Sequence, residues 1–333
     1  MNGTEPCYVS TGHLPPPALV ARLVAEAHER FLSNDEGANA DIYPELKTAP
    51  DDKFGVCVVG TNGAIHAAGD CAHDFTIMSV SKAFVFALVC QAIGSEAARE
   101  RLGVNATGLP FNAMATVERG DGRSNPMVNP GAIATTSLVP GESHEARWQF
   151  IQSGLSRFAG RDLAIDQAIF TAAIETNFRN RDIARALQAR ERIFMEPAAA
   201  LDLYTRQCSL KVNARDLAIM GATLADGGVN PVTAERVIEP DTCRHTLAVM
   251  ATAGLYENSG DWLYEVGIPA KSGISGGIVA VSPGKGGLGT FSSRLDAAGN
   301  SVRGRLAARF LSERLGLSLF ASEPWTESPR PAP

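Results

Sequence analysis

Phe75-Thr-Ile-Met-Ser79-Val-Ser-Lys82-Ala-Phe-Val-Phe-Ala-Leu-Val-Cys90 is the stretch on which the reading of this chain turns. From Ser79 to Ile93 nearly every position is apolar, neither Gly nor Pro interrupts, and Gly94 follows. That pattern predicts a helix buried on all sides and closed by a C-terminal glycine. Ser79 and Lys82 are out of place in it. Three residues apart, they share one helix face at the N-terminal end, where the amine can reach the hydroxyl and unpaired N–H groups carry partial positive charge. This is the layout of a Ser-Lys nucleophile pair. A lysine desolvated in a dry cleft has its pKa pushed down and can take the serine proton, while the serine amide helps to hold an oxyanion. The competing reading is plain capping by Thr76, Ser79 or Ser81, with Lys82 snorkelling to water. A chain of this length contains roughly one S-x-x-K by chance. The second one here, Ser282-Pro-Gly-Lys285, lies in a Pro/Gly-rich run that cannot be helical.

Upstream, Phe54 to Val59 and Ala64 to Ala68 flank Thr61-Asn62-Gly63, a β-hairpin signature because Asn-Gly accepts the positive φ of tight turns. Before the hairpin, Val20, Leu23, Val24, Ala27 and Phe31 recur at helical spacing over residues 18–32, and residues 1–17 read as a loose arm. Downstream, residues 94–144 are rich in Gly, Asn and Pro. Helices are predicted at 145–158, 181–190, 214–225 and 242–252, the third capped by Asn213 and Asp216. The Ala270-Lys-Ser-Gly-Ile274 segment passes from a glycine-rich turn into a strand ending at Val281, with another strand near 288–291 and a last helix over 302–315. The proline-rich tail, 322–333, reads as disordered. The predicted class is α/β in the α+β sense: an antiparallel sheet built from both chain ends, flanked by helices, with a mostly helical lobe inserted. Residues 18–321 then form a single domain of two lobes, with the nucleophile helix at the junction where ligand clefts form.

The chain has 333 residues, 45% hydrophobic and 20% charged, enough for a large core. A formal net charge of -6 argues against a nucleic-acid partner. No run of eighteen apolar residues and no signal-peptide pattern occurs, so no membrane partner is expected and a cytoplasmic location is. The six cysteines lack C-x-x-C spacing and the six histidines form no H-E-x-x-H, which predicts neither disulfides nor metal.

Ser79-Val-Ser-Lys82, Asn125-Pro-Met-Val-Asn129-Pro-Gly-Ala-Ile, Tyr204-Thr-Arg-Gln-Cys-Ser, Gly254-Leu-Tyr256 and Ala270-Lys-Ser-Gly-Ile274 occur in this order. Together they resemble the serine-dependent glutaminases, relatives of the β-lactamases and penicillin-binding proteins. The likeness runs from about Ala40 to Arg305. It implies a β-lactamase/transpeptidase-like fold and hydrolysis of L-glutamine to L-glutamate and ammonia through an acyl-enzyme on Ser79. It further implies Lys82 as base, Tyr256 as a proton relay and the amides of Ser79 and Ile274 as the oxyanion pair. Asn129, Asn180 and Tyr204 match substrate-binding positions. No cofactor is implied, and the family tendency is a homodimer or homotetramer. Read alone, Asn129 could shape a turn, Asn180 could cap a helix, and either tyrosine could be a core aromatic.

Two departures stand out. The family usually has a glutamate seven residues before the Asn180 position, and here that residue is Ala173. Glu175 is close in sequence, but on a helix two residues turn a side chain to nearly the opposite face. In Ala40-Asp41-Ile42-Tyr43-Pro44 the family's Tyr-Ile order is reversed, which puts Ile42 at a substrate-contact position and leaves Tyr43 to reach in from the next one. Two other readings remain. One is an amidase, esterase, transpeptidase or β-lactamase-like acyl hydrolase with another substrate, for which Tyr256-Glu-Asn258 and Lys271-Ser-Gly offer partial mimicry. The other is a non-catalytic amino-acid-binding protein, against which an intact Ser79, Lys82 and Tyr256 argue.

Overall fold

Side chains alternate strictly across the strands, so one sheet carries two cores. A computed structural model describes residues 12–322, so the expected arm (1–17) and tail (322–333) lie outside the described residues except for 12–17 and 322. The strands of the main sheet are β1 (Gly55–Gly60), β2 (Ile65–Gly69), β3 (Ala270–Ser272), β4 (Gly277–Ser282) and β5 (Gly286–Phe291). They run antiparallel in the order β2-β1-β5-β4-β3, with Gly55 opposite Phe291 and Gly60 opposite Gly286. The sheet is therefore closed between the two chain ends, as the sequence predicts.

On one face Val56, Val58, Ile278, Ala280 and Leu288 pack under the helices Pro17–Phe31 and Val302–Leu315. On the other, Cys57, Val59, Val279, Val281 and Phe291 join the larger core of the helical lobe. The helix Ala214–Ala225 lies directly on β5. A Cβ at Gly287 would come within 2.2 Å of the Ala222 nitrogen, and one at Gly289 within 2.1 Å of the Ala214 carbonyl, so only glycine permits that approach. Its capping box, Asn213 with Asp216, is the one predicted from sequence, and Asp216 also receives the Arg161 guanidinium at 2.6 Å.

The helix Ser81–Ile93 is the axle of the lobe. Helices Ser95–Leu102, Asn129–Thr136, His144–Ala159 and Pro240–Ala253 surround it, and its residues from Ser81 to Cys90 are all buried. Burying side chains such as Phe84, Phe86 and Leu88 is worth about 1.5–3 kcal/mol each, which fixes this helix against the sheet junction. The first turn differs from expectation. Met78–Val80 is a 3-10 turn and the α-helix starts only at Ser81, so Ser79 stands on the tight turn leading into the helix. Ala270–Ser272, read as part of a turn, is instead a paired strand, and the turn occupies residues 273–276. The sequence predicts no helix at Ser95–Leu102, Asn129–Thr136 or Pro197–Cys208, and leaves that at Gln167–Thr176 conditional.

Candidate active site

Between the lobe and the sheet edge lies a cavity of about 120 Å³. Ser79, Tyr43, Asn129, Asn180, Tyr204 and Ile274 all line it, joined by Met78, Phe111, Ala173, Arg179 and Cys208. Six of the residues singled out in the sequence, drawn from six separate segments, thus meet in one place.

The Ser79 turn is pressed against the turn that follows β3. A Cβ on Gly273 would lie 2.9 Å from the Ile77 carbonyl and 3.4 Å from the Ser79 nitrogen, and Thr76 bonds Ser275 across the two turns at 2.7 Å. Glycine at position 273 is what lets the two backbones touch. Neither the Ser79 nor the Ile274 N–H donates to a carbonyl or side chain among the described residues, and both residues line the cavity. Met78, just before the serine, has φ +46° and Tyr256 has φ +57°. Non-glycine residues in this region cost about 1–3 kcal/mol each and persist only where the surroundings enforce them. Leu46 and Ile169 pack on Met78, while the Ser259 hydroxyl donates to the Tyr256 carbonyl at 2.8 Å and accepts from the Leu255 amide at 3.1 Å.

Lys82 is fully enclosed. Burial lowers its pKa to about 7, and the Nζ donates to Asn129 Oδ1 at 2.6 Å rather than to the Ser79 hydroxyl that helical spacing alone suggested. The Lys82 Nζ lies 5.9 Å from the centre of the Phe111 ring and 5.5 Å from that of Tyr256. Asn129 is the hub of the polar network: its Oδ1 also accepts from the Tyr204 hydroxyl at 3.2 Å, and its Nδ2 donates to Asn180 Oδ1 at 2.9 Å. It heads the helix Asn129–Thr136, so its place is set by helix geometry, not by a turn. Burial holds the phenols of Tyr204 and Tyr256 well above the usual tyrosine range, and a hydrogen bond with Ser79 partly offsets this for Tyr256.

Lys271, which lies in the Ala270-Lys-Ser-Gly-Ile274 motif but has no role assigned from sequence, belongs here. It is buried under the Tyr256 ring, Nζ 4.0 Å from the ring centre, and donates to the Ser272 carbonyl at 2.8 Å. Burial first, then the charge of Lys82, depress its pKa strongly. The signal was a lysine two residues before Gly273 in a strand. Phe111 and Arg179 were missed because they enter from loop and helix-start positions with no pattern of their own; Arg179 Nε donates to the Asn112 carbonyl at 3.0 Å and ties that wall down.

The two departures resolve differently. Tyr43 does reach the cavity, half-buried, with its phenol pushed up to about 12 by burial, while Ile42 sits at the rim with 55% exposure. Glu175 does not reach it. On the helix Gln167–Thr176 the buried positions are Ile169 and Ala173, and Glu175 points to solvent from the far side. The placement of Glu175 as a substrate contact is thereby corrected. Among the described residues no group of three His, Cys, Asp or Glu is arranged to hold a metal ion, and no single helix is long and apolar enough to cross a membrane.

A family model described as Glutaminase matches residues 37–320. Glutaminase 2 of Yersinia pestis is 64% identical over 96% of this chain and 94% of its own length. A glutaminase of Colwellia psychrerythraea is 42% identical over 92% of this chain and 99% of its own. Among solved structures, a probable glutaminase, ybaS, superposes with a TM-score of 0.91 at 40% identity, covering 92% of this chain and all of that one. A Bacillus glutaminase superposes at 0.83 and 31% identity over 90% of this chain and 99% of its own.

Proposed function

We propose, from the premise that this chain belongs to the glutaminase family and hydrolyses L-glutamine to L-glutamate and ammonia, that Ser79 is the nucleophile and Lys82 its base. The hydrolase activity and the β-lactamase-like fold are those of the family. The observation that carries the assignment is that the Ser79 and Ile274 amides donate to no acceptor among the described residues and belong to two turns that meet at Gly273.

The Ser79 Oγ attacks the side-chain carbonyl carbon of glutamine. Its proton passes to the Lys82 amine, which near neutral pH is free to accept it. Tyr256, packed beside both buried lysines, relays that proton. The oxyanion is held by the two amides, each donor typically worth 10²–10³ in rate. Collapse breaks the C–N bond, the proton goes to the departing nitrogen, and ammonia leaves. Water then attacks the acyl-Ser79 ester, giving its proton to the same base, which returns it to Ser79 Oγ as the ester C–O bond breaks and glutamate is released. Asn129, Asn180, Tyr204 and Tyr43 orient the substrate. Ammonia release from L-glutamine by wild type and by Ser79→Ala tests this: a loss of about 10⁴-fold or more supports it, and retained turnover overturns it.

The same reading extends to the setting of the enzyme. Residues 18–321 act as one catalytic domain of two lobes, supported by the sheet that closes chain start to chain end. The five described cysteines are free thiols, which suits the reducing cytoplasm. A homodimer or homotetramer is the expected assembly, tested by light scattering on the eluting protein.

A further inference from the structure

We infer that this cavity does not read the substrate's α-ammonium as a charge, and that it accepts γ-carboxamides lacking that group, glutaramate being the simplest. The inference rests on the acyl-enzyme reading of the same cavity.

The lining carries no carboxylate among the described residues, and Arg179 is its one charged side chain. Glutamine brings both a carboxylate and an ammonium into it. The guanidinium suits the carboxylate and repels the ammonium. What is left for the ammonium is neutral, including the hydroxyls of Tyr43, Thr176 and Tyr204 and the side-chain carbonyls of Asn112, Asn177 and Asn180. Asn177 is already engaged through its amide nitrogen to Thr205 Oγ1 at 3.2 Å, and Asn180 Oδ1 accepts from Asn129. Neutral acceptors replace lost water but do not neutralise an ammonium held in a narrow cavity.

Ala173 occupies the place from which a carboxylate could act. It is 5% exposed, lines the cavity, and lies one helical turn beyond Ile169 on the same face. Acidic residues do occur nearby, but Asp41, Glu257 and Asp296 line the adjoining cleft beyond the rim of Ile42, Phe111 and Ile274. Asp41 and Glu257 are exposed there, where solvent and salt screen them from the cavity. Removing the α-ammonium from the substrate thus removes an uncompensated charge rather than a paired one. The reaction is otherwise unchanged: water cleaves the amide, giving glutarate and ammonia.

The test compares kcat/KM for ammonia release from L-glutamine and from glutaramate by the full-length enzyme, and repeats both with Ala173→Glu. Glutaramate is expected within about tenfold of glutamine for the wild type, and Ala173→Glu is expected to shift the ratio at least tenfold toward glutamine, chiefly through KM. A wild-type ratio more than tenfold in favour of glutamine overturns the inference, whatever the variant does. Glutamine turnover that depends on Ser79 leaves the acyl-enzyme reading intact in that case, whereas turnover of neither compound overturns that reading itself.

Discussion

On the sheet side of the cavity, Ser79, Ile274, Lys82 and Tyr256 are held by backbone contact, a Thr76–Ser275 bond, a Ser259 clamp and close-packed rings. On the lobe side, Ile42, Ala173 and Arg179 stand on short or surface-exposed segments with few bonds between them. The contrast follows from what each wall is built on. Atoms that must be placed within a fraction of an ångström are mounted on the buried helix and its entry turn, and so is the Asn129–Tyr204 part of recognition, whereas Ile42 and Arg179 stand where a substitution disturbs little else.

The contrast breaks most visibly if Lys82 is dispensable. Lys82→Met is expected to lower kcat/KM by about 10²–10⁴-fold, and the wild-type pH profile should rise through about pH 7 as the amine loses its proton. The same change should raise stability. The folded-state pKa of Lys82 lies below its ordinary value of 10.5, so between the two the unfolded chain binds a proton that the folded chain does not. The stability this group allows therefore grows as pH climbs through that window, and the penalty is complete below pH 7. The advantage of Lys82→Met should be largest below pH 7 and fade towards 10.5, as read by thermal denaturation at several pH values. An advantage that is equal at pH 6 and pH 10 contradicts the burial argument.

A smaller effect sharpens the comparison. Gly273→Ala drives a methyl group into the Ile77 carbonyl and must part the two turns. A loss of about 10–10²-fold in kcat with KM within about threefold is expected if the free amides act on the transition state. A change confined to KM would move this turn into the recognition wall. The smallest effect should come from the open side. Tyr43→Phe is expected to change KM by about two- to fivefold and leave kcat alone, consistent with loss of one hydrogen bond to a bound molecule. A large drop in kcat there would erase the distinction between the walls.

How far sequence carries the reader follows the same division. The hairpin, the helices 214–225 and 302–315 and the buried Ser81–Ile93 helix announce themselves because burial is periodic or complete over a long run. The helix Asn129–Thr136 is hidden. It is buried on every side, so it shows no period, and it opens Asn-Pro-Gly, which reads as a loop. Gly131 is there because a Cβ would fall 1.9 Å from the Asn125 carbonyl. Ser79, Lys82 and Tyr256 could be named in advance, but the bond from Lys82 to Asn129 spans 47 positions and obeys no local spacing. The fate of Glu175 was decided by a phase on a helix whose existence the sequence left conditional.

The register of Gly55 against Phe291 also governs how the chain comes to exist. Strand β1 leaves the ribosome early, while its partner β5 is synthesised only after most of the lobe. In the interval β1 has β2 on one side and an open edge on the other, a template for mispairing. Closing the sheet requires contacts of very high sequence separation, which slows folding relative to a chain of local helices. The glycine-lined β5 strand, with no side chains to mispack at positions 286, 287 and 289, can slot between β1 and β4 as a late wedge. Residues 273–276, which meet the Ser79 turn, are likewise made only after most of the lobe, so activity is expected to appear only once the last strands are in place.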